Sequence, residues 1–226
     1  MSAAAPVVRA ITLTEQVAAN IYQRIAGGLL APGERLVEQT LAKELGVGQN
    51  VIREALISLA HRGFVKRFTN RGTYVTQLTF ADAQKLAEVR APLETLVCEK
   101  IQERIQSERL DVSELRQVLA DMRAAATAND QQAFHDHDLR FHQTLWALAG
   151  NEYLSATLEQ IVVPLFAFYI VLFVRRHAAE TALAEAVDAH EKLIAAVENG
   201  GASCAAEIRN LVNLSLKHHQ GVISET

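Results

Sequence analysis

Residues 41–75 read LAKELGVGQNVIREALISLAHRGFVKRFTNRGTYV, and this stretch decides the fold of the first third of the chain. Leu41 and Ala42 face inward from a helix that runs from about Val37 to Glu44. Gly46 then supplies the positive φ that a tight inter-helix turn needs. Ile52, Ala55, Leu56 and Leu59 recur at helical spacing and define the buried face of a next helix, Gln49 to His61. Gly63 stops it. Phe64–Phe68 and Thr73–Gln77 alternate as two strands around a basic tip, Thr69-Asn70-Arg71-Gly72. Helix, turn, helix and hairpin in that order predict a winged helix-turn-helix, a device for reading duplex DNA.

Upstream, Val17, Ile21, Ile25 and Leu29 form the apolar stripe of a first helix over 14–29, and Pro32-Gly33 turns the chain. Downstream from Phe80 the periodicity is helical, in segments near 80–106, 110–128, 130–149, 151–176, 179–199 and 202–219. The expected fold is mainly α: a winged helix-turn-helix domain over 1–78 and an all-α bundle of about six helices over 79–226. Charge follows the same division. Residues 1–76 hold nine Lys/Arg against five Asp/Glu, and residues 77–226 hold thirteen against twenty-one. A basic front and an acidic rear fit a DNA-binding module joined to a domain that does not touch DNA.

The longest apolar run, Ile161 to Val174, contains Pro164 and is shorter than the roughly 18 residues of a membrane span. With no export signal at the front, a cytoplasmic protein without a membrane partner is expected. Cys98 and Cys204 are far apart with no metal-type spacing. They read as reduced, buried thiols, with a disulfide as the lesser alternative.

On the recognition helix, Gln49, Asn50 and Arg53 occupy the N-terminal side opposite the buried face. Arg53 can fork to guanine O6/N7, and Gln49 and Asn50 can pair adenine or reach phosphates. Arg35, Gln39, Lys66 and Arg71 complete the DNA-contact set, and Gly72 lets the backbone approach a groove. In the rear, Asp138 and His142 are four apart and share a helix face, where a carboxylate and an imidazole can hold one divalent ion. A surface Asp–His hydrogen bond is the plain alternative. Asp136 and His135 point elsewhere, toward solvent. Arg90 either anchors a carboxylate or pairs with Glu94 at i+4. Arg140, Arg175 and Arg176 are further pocket residues, and Trp146, Phe166, Phe168, Tyr169 and Phe173 read as core packing.

Pro32-Gly33-Glu34-Arg35-Leu36, Leu41-Ala42, Leu45-Gly46-Val47, Arg53-Glu54-Ala55-Leu56 and Arg71-Gly72 through Val75 resemble the GntR superfamily of bacterial transcription regulators over about residues 14–76. Where the family carries Ser-Arg-Thr-Pro or similar, this chain has Gly48, Gln49, Asn50 and Val51. Glutamine thus stands in place of an arginine that many relatives use on DNA. Arg90 with Glu94, Asp138 through Phe141-His142, Gly150-Asn151, and His190 with Leu193-Ile194 are similar to the FCD ligand-binding domain of the FadR-type branch.

That resemblance implies a one-component regulator, a homodimer on a palindromic operator, and an effector domain that takes a small organic acid. It also implies a divalent ion, zinc first with nickel or manganese as alternatives, held by Asp138, His142 and His190. Asn213 falls in the place of the family's fourth ligand, a histidine; His218 and His219 could replace it only in another helix register. A repressor relieved by its effector is the expected sign. Two further readings follow: a metal-free pocket for an acyl-thioester or other apolar acid, lined by Ile161–Val174, and a metal-dependent enzyme. The enzyme lacks a placed general base, because Glu191 points about 100° from His190 around the helix.

Overall fold

The computed structural model describes residues 11–108, 110–176, 180–199 and 203–220, with the side chains at 170–181 and 218–220 outside that description. Phe173, Arg175, Arg176, His218 and His219 therefore lie outside the described side chains. The chain divides into two compact units, residues 1–75 and 76–226.

In the first unit, α1 (Leu13–Ala26) starts at a capping box in which Thr12 and Glu15 satisfy each other's orphan backbone donors. It is followed by β1 (Arg35–Leu36), α2 (Glu38–Leu45), α3 (Gln49–His61), β2 (Val65–Phe68) and β3 (Gly72–Val75). Gly46 ends α2 in the left-handed region at φ 66°, its N–H donating to the Ala42 carbonyl, which makes the tight turn into α3. Ile52, Ala55, Leu56 and Leu59 have no exposed surface, and α3 packs against α1, whose Val17, Ile21, Tyr22 and Ile25 are also buried. Burying each large aliphatic side chain among them contributes roughly 1.5–3 kcal/mol. The expected hairpin is part of a three-stranded antiparallel sheet of order β1-β3-β2. Arg35 pairs with Tyr74, and Lys66 with the same Tyr74 from the other side.

Among its described residues the regular elements of the second unit are all helices: α4 (Phe80–Glu108), α5 (Ser113–Thr127), α6 (Gln131–Leu148), α7 (Glu152–Arg176), α8 (Glu180–Asn199) and α9 (Ser203–Gln220). Asp130 caps α6 through the Ala133 N–H, and Asn151 caps α7 through the Leu154 N–H. Val97, Ile101, Leu115, Met122, Phe141, Leu145, Trp146, Leu158, Leu193 and Ile208 form one continuous core. Among the described residues no helix is long and apolar enough to cross a membrane.

The cysteines correct the expectation of free thiols. Cys98 of α4 and Cys204 of α9 are buried and paired as a disulfide, with Cα atoms 6.4 Å apart across 106 residues of sequence. The helix packing that brings them together is not a local pattern, so spacing alone carried no signal for it.

Candidate functional site

On the first unit, Gln39, Gln49, Asn50 and Arg53 are exposed on α2 and α3, and Arg35, Lys66, Arg71 and Gly72 are exposed on the sheet. Arg53 donates through Nε and Nη2 to one oxygen of Glu38, at 3.2 and 2.9 Å. This tether from α2 orients the guanidinium and leaves its Nη1 edge available. Gly72 has φ 98°, and a Cβ there would stand 3.3 Å from Arg35 Nε, so Arg35 lies closely along the wing backbone.

In the second unit a cavity of about 50 Å³ lies among α4, α6, α7, α8 and α9. Its polar wall is built by Arg90 of α4, His135, Asp138 and His142 of α6, Tyr169 of α7, and His190 of α8. Asp138 and His142 share the inner face of α6 because they are one turn apart. The apolar stripe of α8 (Leu183, Val187, Leu193, Ile194) turns His190 inward beside them.

The hydrogen bonds around the imidazoles fix where their lone pairs point. His142 Nδ1 lies 3.0 Å from Glu94 Oε1. A carboxylate only accepts, so Nδ1 carries the hydrogen and Nε2 is the lone pair. His190 Nδ1 lies 2.7 Å from the Ala186 carbonyl, so its Nε2 is likewise a lone pair in the neutral ring. The two Nε2 atoms are 3.3 Å apart, and they stand 3.8 Å (His142) and 3.0 Å (His190) from Asp138 Oδ1. Asp138 Oδ1 is buried, with His190 Nε2 the nearer of the two ring nitrogens. Three groups that can each offer an electron pair converge there, with Arg90 Nη2 beside them at 3.0 Å from His142 Nε2 and 3.4 Å from its Nδ1.

A tetrahedral ion with ligands at about 2.0–2.1 Å holds them about 3.4 Å apart. Observed separations of 3.0, 3.3 and 3.8 Å fit one face of that tetrahedron. Imidazole and carboxylate are also the donor types that suit zinc. The residues present therefore fit a divalent ion.

Glu94 has no exposed surface and is the hub behind this face. It accepts from Arg90 Nε at 2.9 Å, Trp146 Nε1 at 3.0 Å and His142 Nδ1. Burial alone would raise its pKa, but Arg90 and His142 outweigh that and hold it at about 2. Burial pushes His142 below its usual range, which keeps the ring neutral. Burial likewise pushes the Tyr169 hydroxyl up to about 12. For Asp138, burial raises the pKa, yet the contact with His190 and the rings of His142 and His135 hold it below the usual carboxylate range.

Four expectations are corrected here. Asn213 is exposed on α9 and does not line the cavity; Leu211, Leu214 and Ser215 do. Arg140 is exposed and faces Glu114 at 3.7 Å, away from the cavity. His135 is buried and lines the cavity rather than facing solvent. Its signal was available, since it precedes Asp138 by three residues and so shares its helix face. Phe166 and Tyr169 line the cavity as well as packing the core. Arg90 pairs with Glu94, as one of its two readings has it, and it also lines the cavity. Asp136 is exposed, and Glu191 is exposed and paired with Arg123.

Residues 13–75 match the gntR family of bacterial regulatory proteins, and residues 85–213 match the FCD domain. The chain is 30% identical over 166 residues to the uncharacterized HTH-type transcriptional regulator YdhC of Bacillus subtilis (strain 168), covering 74% of each chain. It is 30% identical over 185 residues to the gluconate operon transcriptional repressor of the same strain, covering 81% of this chain and 74% of that one. Among solved structures, E. coli McbR/YncC superposes with a TM-score of 0.63 at 19% identity, covering 96% of this chain and 99% of that one. The chain belongs to the GntR family of bacterial transcription regulators, with an FCD domain behind the winged helix. Its relatives are named as transcription regulators, and it is a transcription regulator of that family.

Proposed function

We propose that the protein is a repressor whose affinity for a palindromic operator is controlled by a small carboxylate bound at Asp138, His142 and His190. The observation that carries this reading is the convergence of three potential electron-pair donors, Asp138, His142 and His190, on one cavity. A divalent ion there supplies an electrophilic centre that a carboxylate can ligate.

Charge explains why the ion matters. With neutral imidazoles, Arg90, Glu94 and Asp138 sum to −1, which disfavours an incoming anion. A dication brings the site to +1 and makes it complementary to a monocarboxylate. A cavity of about 50 Å³ holds only a few water-sized groups, which suits a compact acid and counts against a long acyl-thioester. The gluconate operon repressor among the relatives fits an effector with a carboxylate. Arg90, with its planar fork, is the second anchor for that group.

DNA reading falls to Gln49, Asn50 and Arg53 in the major groove, with Arg35, Gln39, Lys66, Arg71 and Gly72 on the backbone and wing side. A palindrome is read by two copies. Val89, Pro92 and Leu96 form an exposed apolar stripe on α4 at i, i+3, i+7 spacing, a surface suited to a second copy of this chain in a cytoplasmic homodimer.

Elemental mass spectrometry of purified protein beside His190→Ala tests the site. The expected result is about one zinc, nickel or manganese per wild-type chain, lost in the variant. Wild-type protein that takes up no divalent ion, even after incubation with zinc, refutes the reading.

A further inference from the structure

We infer that Glu38 is a positioning residue for base reading: it holds Arg53 by one edge, so that the free end of the guanidinium meets a guanine rather than a phosphate. This rests on the assignment of α3 to the major groove above. A carboxylate on a surface that faces phosphates weakens binding by itself. Glu38 also stands in the first turn of α2, where the helix dipole favours a carboxylate, so its effect on DNA has to be separated from its effect on the helix.

Arg53 is the only Lys or Arg on α3, whose first two positions are Gln49 and Asn50. How that one cation is presented therefore decides what the helix reads. A guanidinium carries its N–H groups on fixed edges of one plane. The side edge of Arg53, Nε with one hydrogen of Nη2, is closed on Glu38 Oε2 at 3.2 and 2.9 Å. The end edge, the second hydrogen of Nη2 with one of Nη1, is the parallel pair that matches guanine O6 and N7. Glu54, next to Arg53 in sequence, accepts from Thr14 Oγ1 at 3.1 Å instead, so the tether comes from α2.

The Arg53 side chain is 50% exposed and that of Glu38 28%. An exposed ion pair adds little to stability, so its consequence lies in geometry and charge. An untethered arginine samples many rotamers, and its cation is drawn to the strongest nearby anion, a phosphate. With Glu38 on the side edge the pair is neutral as a whole, which removes most of that pull, while the end edge keeps its donors for O6 and N7. Glu38 thus lowers affinity for every duplex and widens the difference between duplexes, and that difference is specificity.

The probes are a duplex selected by the wild-type chain from a random pool, its single-base variants, and an unrelated duplex of equal length. Each is titrated by anisotropy at several salt concentrations with wild type, Glu38→Ala, Glu38→Gln, Arg53→Ala and the double variant, and far-UV circular dichroism checks the fold. Glu38→Ala is expected to bind the unrelated duplex at least about twofold more tightly, with a salt slope steeper by up to about 0.9. It is also expected to lose at least about fivefold of the discrimination at the base pair Arg53 reads, the low end of what a bidentate contact supplies. Glu38→Gln keeps an oxygen for the side edge without the charge, so it gains affinity likewise and retains more discrimination. In the double variant discrimination falls no further than in Arg53→Ala.

Affinity that changes equally for all duplexes in the Glu38 variants overturns the inference, a rise marking plain repulsion and a fall a role only in starting α2. Discrimination lower in the double variant than in Arg53→Ala overturns it too, because Glu38 then reads a base itself. Discrimination untouched by Arg53→Ala, or no preferred duplex from the pool, refutes the groove assignment and the inference with it. Should Glu38→Ala fail to fold, Glu38→Gln decides: a folded Glu38→Gln that matches wild type in both affinity and discrimination overturns the inference.

Discussion

Glu94→Gln in metal-free protein isolates the hub of the site. The Glu94 carboxyl ionises at about 2 in the fold, against an ordinary value of 4.5. A group with a depressed folded pKa adds stability that is fully present above its unfolded pKa and is lost as pH falls toward the folded one. Each pKa unit corresponds to about 1.4 kcal/mol, so ionised Glu94 contributes about 3 kcal/mol at neutral pH. At pH 3, between the two values, the same linkage leaves roughly half of that. Glutamine approximates the protonated carboxyl and lacks this contribution at every pH. The variant should therefore be about 3 kcal/mol less stable than wild type at pH 7, with the gap roughly halved at pH 3. Urea unfolding with a chelator present, followed by Trp146 emission, is the assay. Trp146 is the single tryptophan and is buried in the helical unit, so it reports that unit alone. A gap below 1 kcal/mol at pH 7, or one that does not change with pH, would refute the assignment of Glu94 as a charged hub.

Arg53→Ala should lose about 1–3 kcal/mol of discrimination between a selected duplex and its single-base variants, measured by fluorescence anisotropy at fixed salt. Asp138→Asn removes the anionic ligand and should lower zinc affinity at least tenfold in a chelator competition. His135→Ala should leave metal content unchanged, since His135 is outside the ligand triad, but should alter the response of DNA binding to acids. Gly46→Ala meets no atom within 4 Å, so its cost is conformational, about 1 kcal/mol. Calorimetry should then place the melting of the first unit about 4–8 °C lower.

Helical periodicity carried most of the fold. The apolar stripes, Ile52–Leu59 among them, put each described helix within a few residues of its position. Strand β1 was not legible, because two residues, Arg35 and Leu36, are too short to alternate; it forms by pairing with β3. In the site, Asp138 and His142 announced themselves by i, i+4 spacing, and His190 by its place just ahead of Leu193-Ile194 together with the family resemblance. The place of the fourth histidine could not be settled by residue counting. One residue is about 100° of helix, and here Asn213 faces out while Leu214 and Ser215 face in. Glu94 beneath Trp146 and His142, and the Cys98–Cys204 pair, depend on α4 meeting α6 and α9. No local pattern encodes those meetings.

The most direct test of the account is a duplex selected from a random pool, titrated by anisotropy with zinc-loaded protein against a panel of short carboxylates. The prediction is that at least one acid changes DNA affinity by about 5–150-fold, the range of ordinary allosteric coupling. That change should vanish in chelated protein and in His190→Ala. No response to any acid, or a response that survives without Asp138, His142 and His190, would contradict it.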